Sequence, residues 1–171
     1  IALGSNAELY VAGAVDYNNN NLTQYYGNVT FTADTTQIAV SSIQQGGSNT
    51  AVVTFNKTVA DPDGAGAGTP ASALAAGLTT LVNGATVTPV VTATTGDTTG
   101  TKFDVTFVSG DLYGASGTTS DVTLVIAKDA VSDLVGNKVA SSSHVVKLTK
   151  DVTGPTLVTS SVSADKKVIS L

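Results

Sequence analysis

From residue 37 onward, apolar and polar positions alternate in short runs separated by turn residues. KFDVTFVS (102–109) puts Phe103, Val105 and Phe107 on one side, and DVTLVIAK (121–128) does the same with Val122, Leu124 and Ile126. A period of two is the spacing of a strand with one buried face. The same reading predicts strands at QIAVSSI (37–43), TAVVTFN (50–56), LTTLV (78–82), ATVTPVVTA (85–93) and HVVKLTK (144–150). Asn83-Gly84 between two of these runs is a hairpin-turn signal. Pro89 within its run marks an edge strand or a bulge, because proline lacks the N–H a central ladder needs. One segment breaks the period. TPASALAAG (69–77) has Thr69 as an N-cap, Pro70 at the first helical position and Gly77 as a stop, which predicts one short helix. About seven short strands with turns between them predict an all-β sandwich.

The pattern also repeats. AVDYNNNNLTQYYGNVTFTAD (14–34) is a weaker copy of AVSDLVGNKVASSSHVVKLTKD (130–151). An offset of 117 residues places Asp16 on Asp133, Asn20 on Asn137, Val29 on Val146, Phe31 on Leu148 and Asp34 on Asp151. The two apolar pairs keep the inward phase, which a slip of one residue would reverse. Further on, AVVTF (51–55) resembles KVISL (167–171). A unit of about 117 residues is typical of one domain. The expected division is a complete unit at 35–151, preceded at 1–34 by the last strands of another and followed at 152–171 by the first strands of a third. Chance matching between Thr- and Val-rich strands is the competing explanation.

Composition narrows the choice of partners. Only 12% of the 171 residues are charged, against roughly 25% in an average soluble domain. The net charge is −5, the basic residues are all Lys, and the acids are all Asp except Glu8. Without Arg there is no bidentate fork for phosphate, and without a basic stripe no footprint for nucleic acid. No Cys is present, which excludes disulfides and thiol chemistry. No apolar run approaches the length of a membrane span.

A strand followed by Asp133, Gly136 and Asn137 in DLVGN, a final strand, and then Asp151 to Pro155 in DVTGP resembles the tandem bacterial immunoglobulin-like modules. Such modules occur in Gram-positive surface-layer (S-layer) proteins, adhesins and cell-wall enzymes. The low charge, the exclusive use of lysine and the absence of cysteine most resemble the S-layer branch. The first copy departs from the pattern, with Asn19 in place of Gly136 and Ile38 in place of Pro155. The resemblance implies an extracellular structural protein that assembles with other copies of itself into a cell-surface lattice, often with calcium. Its partners would be neighbouring modules and other copies, and cell-wall polymer only through regions outside 1–171. A stalk module of an adhesin and an accessory module of a secreted polysaccharide hydrolase are the alternatives.

Catalysis finds little support. His144 is the sole histidine, and its neighbours Ser141, Ser142 and Ser143 read as an exposed turn. Calcium is the stronger candidate, since it takes six to eight oxygen ligands. In an immunoglobulin-like path, the loop after the second strand, the loop near 94–101 and the loop before the last strand share one pole. They carry Asp61 and Asp63, Asp97, and Asp133 with Asn137; Asp34 leads into that pole, and Asp151 leads the next joint. These seven residues are the candidate Ca²⁺ ligands. Asp61-Pro-Asp63-Gly does not continue as an EF-hand loop, because Ala65 and Ser72 fall where oxygen ligands are needed. The other reading is that each Asp organises its own turn.

Overall fold

A computed structural model describes residues 6–62, 68–162, 164 and 169–170. The chain divides into two compact units, Ile1–Thr36 and Gln37–Leu171. The first contains an antiparallel pair, β1 (Asn6–Val11) and β2 (Tyr25–Thr30). On its polar-phase face, Tyr10 and Tyr26 stand opposite each other with ring centroids 4.8 Å apart.

The second unit is an all-β sandwich. Its strands are β3 (Val40–Gly47), β4 (Thr50–Phe55), β5 (Leu78–Val82), β6 (Ala85–Val87), β7 (Val90–Ala93), β8 (Lys102–Thr106), β9 (Thr119–Ile126) and β10 (Ser142–Thr149). One antiparallel sheet has the order β3-β4-β8-β7, the other β10-β9-β5-β6. The first, second, sixth and fifth strands thus form one layer, and the rest form the other. This is the strand order of an immunoglobulin-type sandwich with an added strand beside the third. A last antiparallel pair, β11 (Ser161–Val162) and β12 (Ile169–Ser170), follows an exposed stretch.

The two-residue period builds the core. Ala51, Val53 and Phe55 on β4, Phe103 and Val105 on β8, and Val122, Leu124 and Ile126 on β9 are all buried. Phe55 meets Phe103 edge to face, with centroids 6.1 Å apart and planes at 81°. Full burial of each such Val, Leu, Ile or Phe side chain contributes about 1.5–3 kcal/mol. Asn83 and Gly84 both take positive φ, 50° and 85°, as the hairpin turn between β5 and β6 requires.

The run ATVTPVVTA is not one strand. It breaks at Thr88-Pro89 into β6, at the edge of one sheet, and β7, at the edge of the other. Proline therefore sits where the chain changes layers, and no ladder bond is lost to it. Helix α1 (Pro70–Ala76) forms as expected, with a capping box in which Thr69 and Ser72 each accept from the other's backbone N–H. Its Leu74 is fully buried. KFDVTFVS ends early as a strand, and Ser109–Tyr113 forms a short helix, α2. The Tyr113 hydroxyl donates to the Ser48 carbonyl and pins this connection to the β3–β4 turn. Among the described residues, no helix is long and apolar enough to cross a membrane.

Candidate functional site

The three loops expected at one pole do meet there. Residues 57–61 run between the other two. Val59 N–H donates to the Gly100 carbonyl at 3.0 Å, and the Thr58 hydroxyl donates to Thr99 at 2.8 Å. On the other side Ala60 and Ser132 exchange backbone hydrogen bonds of 2.7 and 3.1 Å. The chain comes into the unit at this pole, where Ala39 N–H donates to the Asn56 side chain and Asn56 N–H to the Ala39 carbonyl. It leaves at the opposite pole, where Lys150 N–H donates to Thr118 and Asp151 N–H to the Ser48 hydroxyl.

Asp133 is the centre of the pole and is 5% exposed. Its Oδ1 accepts from the backbone N–H groups of Val135 (3.0 Å) and Asn137 (2.8 Å). Its Oδ2 accepts from the Asn137 side-chain amide (2.9 Å) and from Lys57 Nζ (2.8 Å). Burial pushes this carboxyl up, but the Lys57 ammonium, the Asn137 amide and the two backbone N–H groups outweigh it, leaving it well below the usual carboxylate range. Lys57 is the residue that sequence reasoning missed. It lies in a loop 76 positions away, and only the convergence of loops pointed toward it.

Asp97 closes its own loop. It accepts from the Thr99 hydroxyl (2.5 Å) and from the backbone N–H groups of Thr99, Thr101 and Lys102 (2.8–2.9 Å). The Thr99 hydroxyl and these N–H groups hold it well below the usual carboxylate range. Asp61 lines a shallow depression of about 400 Å³ together with Ser72, Lys128 and Asp129. Asp63 lies outside the described residues. Asp34, in the first unit, accepts from Thr36 N–H at 2.9 Å, and Asp151 accepts from Thr153 N–H at 2.8 Å. Of the seven candidates, the structure joins Asp133 and Asn137 through hydrogen bonds. Among the described residues, no group of three or more His, Asp or Glu side chains is placed to hold a metal ion. The carboxylates of Asp97 and Asp133 instead hold the turns they sit in. His144 lies on β10 with Nε2 lacking a hydrogen-bond partner, so no serine relay is formed through that nitrogen.

The turn around Asp133 occurs twice. In the first unit, Asp16 Oδ1 accepts from Asn18 N–H and Asn20 N–H, and Oδ2 accepts from the Asn20 side-chain amide, all at 2.8 Å. Asp16 N–H donates to Asn20 and Asn19 N–H to Asp16, as Asp133 N–H donates to Asn137 and Gly136 N–H to Asp133. Flanking bridges join Val15 with Asn21 and Ser132 with Lys138. Every one of these bonds maps onto its counterpart at the offset of 117. The substitution of Asn19 for Gly136 is no departure in geometry. Both residues take left-handed φ, 65° and 91°, a region that Gly and Asn reach most readily. The Asn20 amide donating to Asp16 leads the contacts that lower that carboxyl as well.

No family model matches the chain. No curated protein matches it either. Two solved structures are similar in shape, the crystal structure of the S-layer protein rSbsC(31-844) and that of surface layer protein SbsC, domains 1-6. Each is 19% identical, with a TM-score of 0.49, and covers 71% of this chain and 14% of its own. The chain thus spans about one-seventh of the length of the solved structures it matches.

Proposed function

We propose that this chain is a structural segment of a self-assembling bacterial cell-surface protein of the S-layer kind, in which immunoglobulin-like sandwiches follow one another in tandem. The observation that carries this reading is the turn built twice, bond for bond, 117 residues apart. A second observation agrees with it. The sandwich receives the chain at one pole and releases it at the opposite one. Asp34 and Asp151 then begin equivalent linkers, each bonded to the N–H two residues on.

In this reading the acids act first as fasteners of turns. Calcium would act at the joints between units, by bridging the candidate carboxylates there. Thermal unfolding with millimolar Ca²⁺ and with chelator separates the two roles: equal midpoints leave turn chemistry alone, and a calcium-dependent rise assigns an ion to the joint. The function itself is tested by electron microscopy of the parent protein after self-assembly. Ordered sheets are expected. Isolated rods would move the chain to an adhesin stalk, and soluble particles carrying a catalytic domain to a wall hydrolase.

A further inference from the structure

The connection between β1 and β2 contains the repeated turn, and the strands on either side of it carry the likeness further. In the sandwich, β9 and β10 pair as Ile126 with Ser142, Leu124 with His144 and Val122 with Val146. In the first unit, β1 and β2 pair as Val11 with Tyr25, Leu9 with Gly27 and Ala7 with Val29. The second strands correspond at the offset of 117 and the first strands at 115, the difference lying between strand and turn. Register and inward phase are the same, and Leu9 and Val29 have identical counterparts in Leu124 and Val146. Burial is not the same. Leu124, Leu148 and Val139 are at most 2% exposed, whereas their equivalents Leu9, Phe31 and Leu22 are 45%, 40% and 47% exposed. An isolated two-stranded hairpin is marginal in water, so this face needs a cover.

We propose that β1–β2 is the closing hairpin of a second sandwich, and that its apolar face and the edge of β1 away from β2 dock onto a sandwich body that lacks its own last two strands. The occupant's chemistry is read from what covers β9 in this chain. That cover is an antiparallel strand of the β5 kind, pairing Leu78, Thr80 and Val82 with Ile126, Leu124 and Val122, and beyond it the apolar inner face of β4 and β8. Ala7, Leu9 and Val11 on β1 take the places of those three β9 residues. A second copy of this chain is a poorer fit, because its own β5 is already paired on both sides, to β9 and to β6. The far end carries the matching piece. Ser160-Ser161-Val162 repeats Ser41-Ser42-Ile43, and Val162 pairs with Ile169 as Ile43 pairs with Val53. This makes β11–β12 the opening hairpin of a third sandwich. The inference deepens the tandem reading and rests on it, but it does not depend on lattice formation.

The test supplies the missing body from the chain itself. Residues 37–118 are repeated directly ahead of residue 4, where the equivalence places them. Hydrogen exchange in 6–11 and 25–30 is compared with that in the starting chain. Slowing by about a hundred-fold or more is expected. Leu9→Asp should abolish it without changing exchange in 119–149. The added body is shaped for different side chains, so a second version carries Ala7→Val, Tyr25→Ser, Gly27→His and Phe31→Leu. If neither version slows exchange, the proposal is overturned. It is also overturned if the starting chain dimerises in sedimentation with the hairpin already protected and Leu9→Asp releases both, since the occupant is then a second copy. Loss of ordered sheets in microscopy alone bears on the lattice and leaves this docking intact.

Discussion

Replacing Asp133 with Asn removes one charge and little else. The new amide oxygen keeps the bonds from Val135 N–H and Asn137 N–H, while the new NH₂ group faces two donors, Lys57 Nζ and the Asn137 amide. Both lost bonds end on an ionised carboxylate, so each is charge-assisted and contributes about 1.5–3 kcal/mol. Breaking a fully buried ion pair costs about 3–5 kcal/mol. The Lys57 side chain, however, is 20% exposed and can turn its ammonium into water, which relieves part of that penalty. The expected net loss is about 2–3 kcal/mol, or roughly 8–12 °C for a unit of this size. Urea unfolding at pH 7, followed by amide exchange in β9, reads this unit alone; the midpoint should fall with the slope unchanged. The sign of the pH dependence follows from the lowered pKa. Stability from a depressed carboxyl is present above its unfolded value, near 3.8, and is lost as pH falls through the folded one. The gap between the two proteins should therefore be constant from pH 7 to 5 and narrow below about pH 4. Equal stability at pH 7, or a gap that persists in strong acid, would refute the assignment of Asp133 as the fastener of the pole.

Three further outcomes are expected. Thr69→Ala removes half of the capping box of α1 and should lower stability by about 1 kcal/mol in the same urea assay, with Thr69→Ser recovering most of it. At Gly136 there is open space but a φ of 91°, so Gly136→Ala should cost about 1–2 kcal/mol from backbone strain alone. Gly136→Asn should cost less, as Asn19 does the same task in the other copy; equal costs would refute φ as what governs the position. Gln45 clips the last strand to the first, its amide donating to Thr149 O at 2.7 Å and accepting from Thr149 N–H at 3.2 Å. Gln45→Ala should speed exchange of the Thr149 amide about ten-fold and leave β9 unchanged.

The sandwich was legible wherever burial and period agreed. Val122, Leu124 and Ile126 declare β9 without help, and Thr69-Pro70 with Gly77 declares α1. The break at Pro89 was hidden because apolar residues continue on both sides of it, and the sequence cannot say that they face different layers. Helix α2 left no trace, since Val108 precedes it without a side-chain cap. For the site, the gathering of loops followed from topology, but the use of each carboxylate did not. A run such as DTTGTK offers the same oxygens to an ion or to its own amides, and only the backbone path decides which donors arrive.

A strand arriving at one pole and another leaving at the opposite one determine how the unit bears load. Pulled by its linkers, β3 is drawn along β4 and β10 along β9, so the rungs of each ladder are sheared together rather than unzipped one at a time. Six pairs between β3 and β4 and eight between β9 and β10 share the force. Pulled at its two ends, the unit would stretch little before a whole strand slipped.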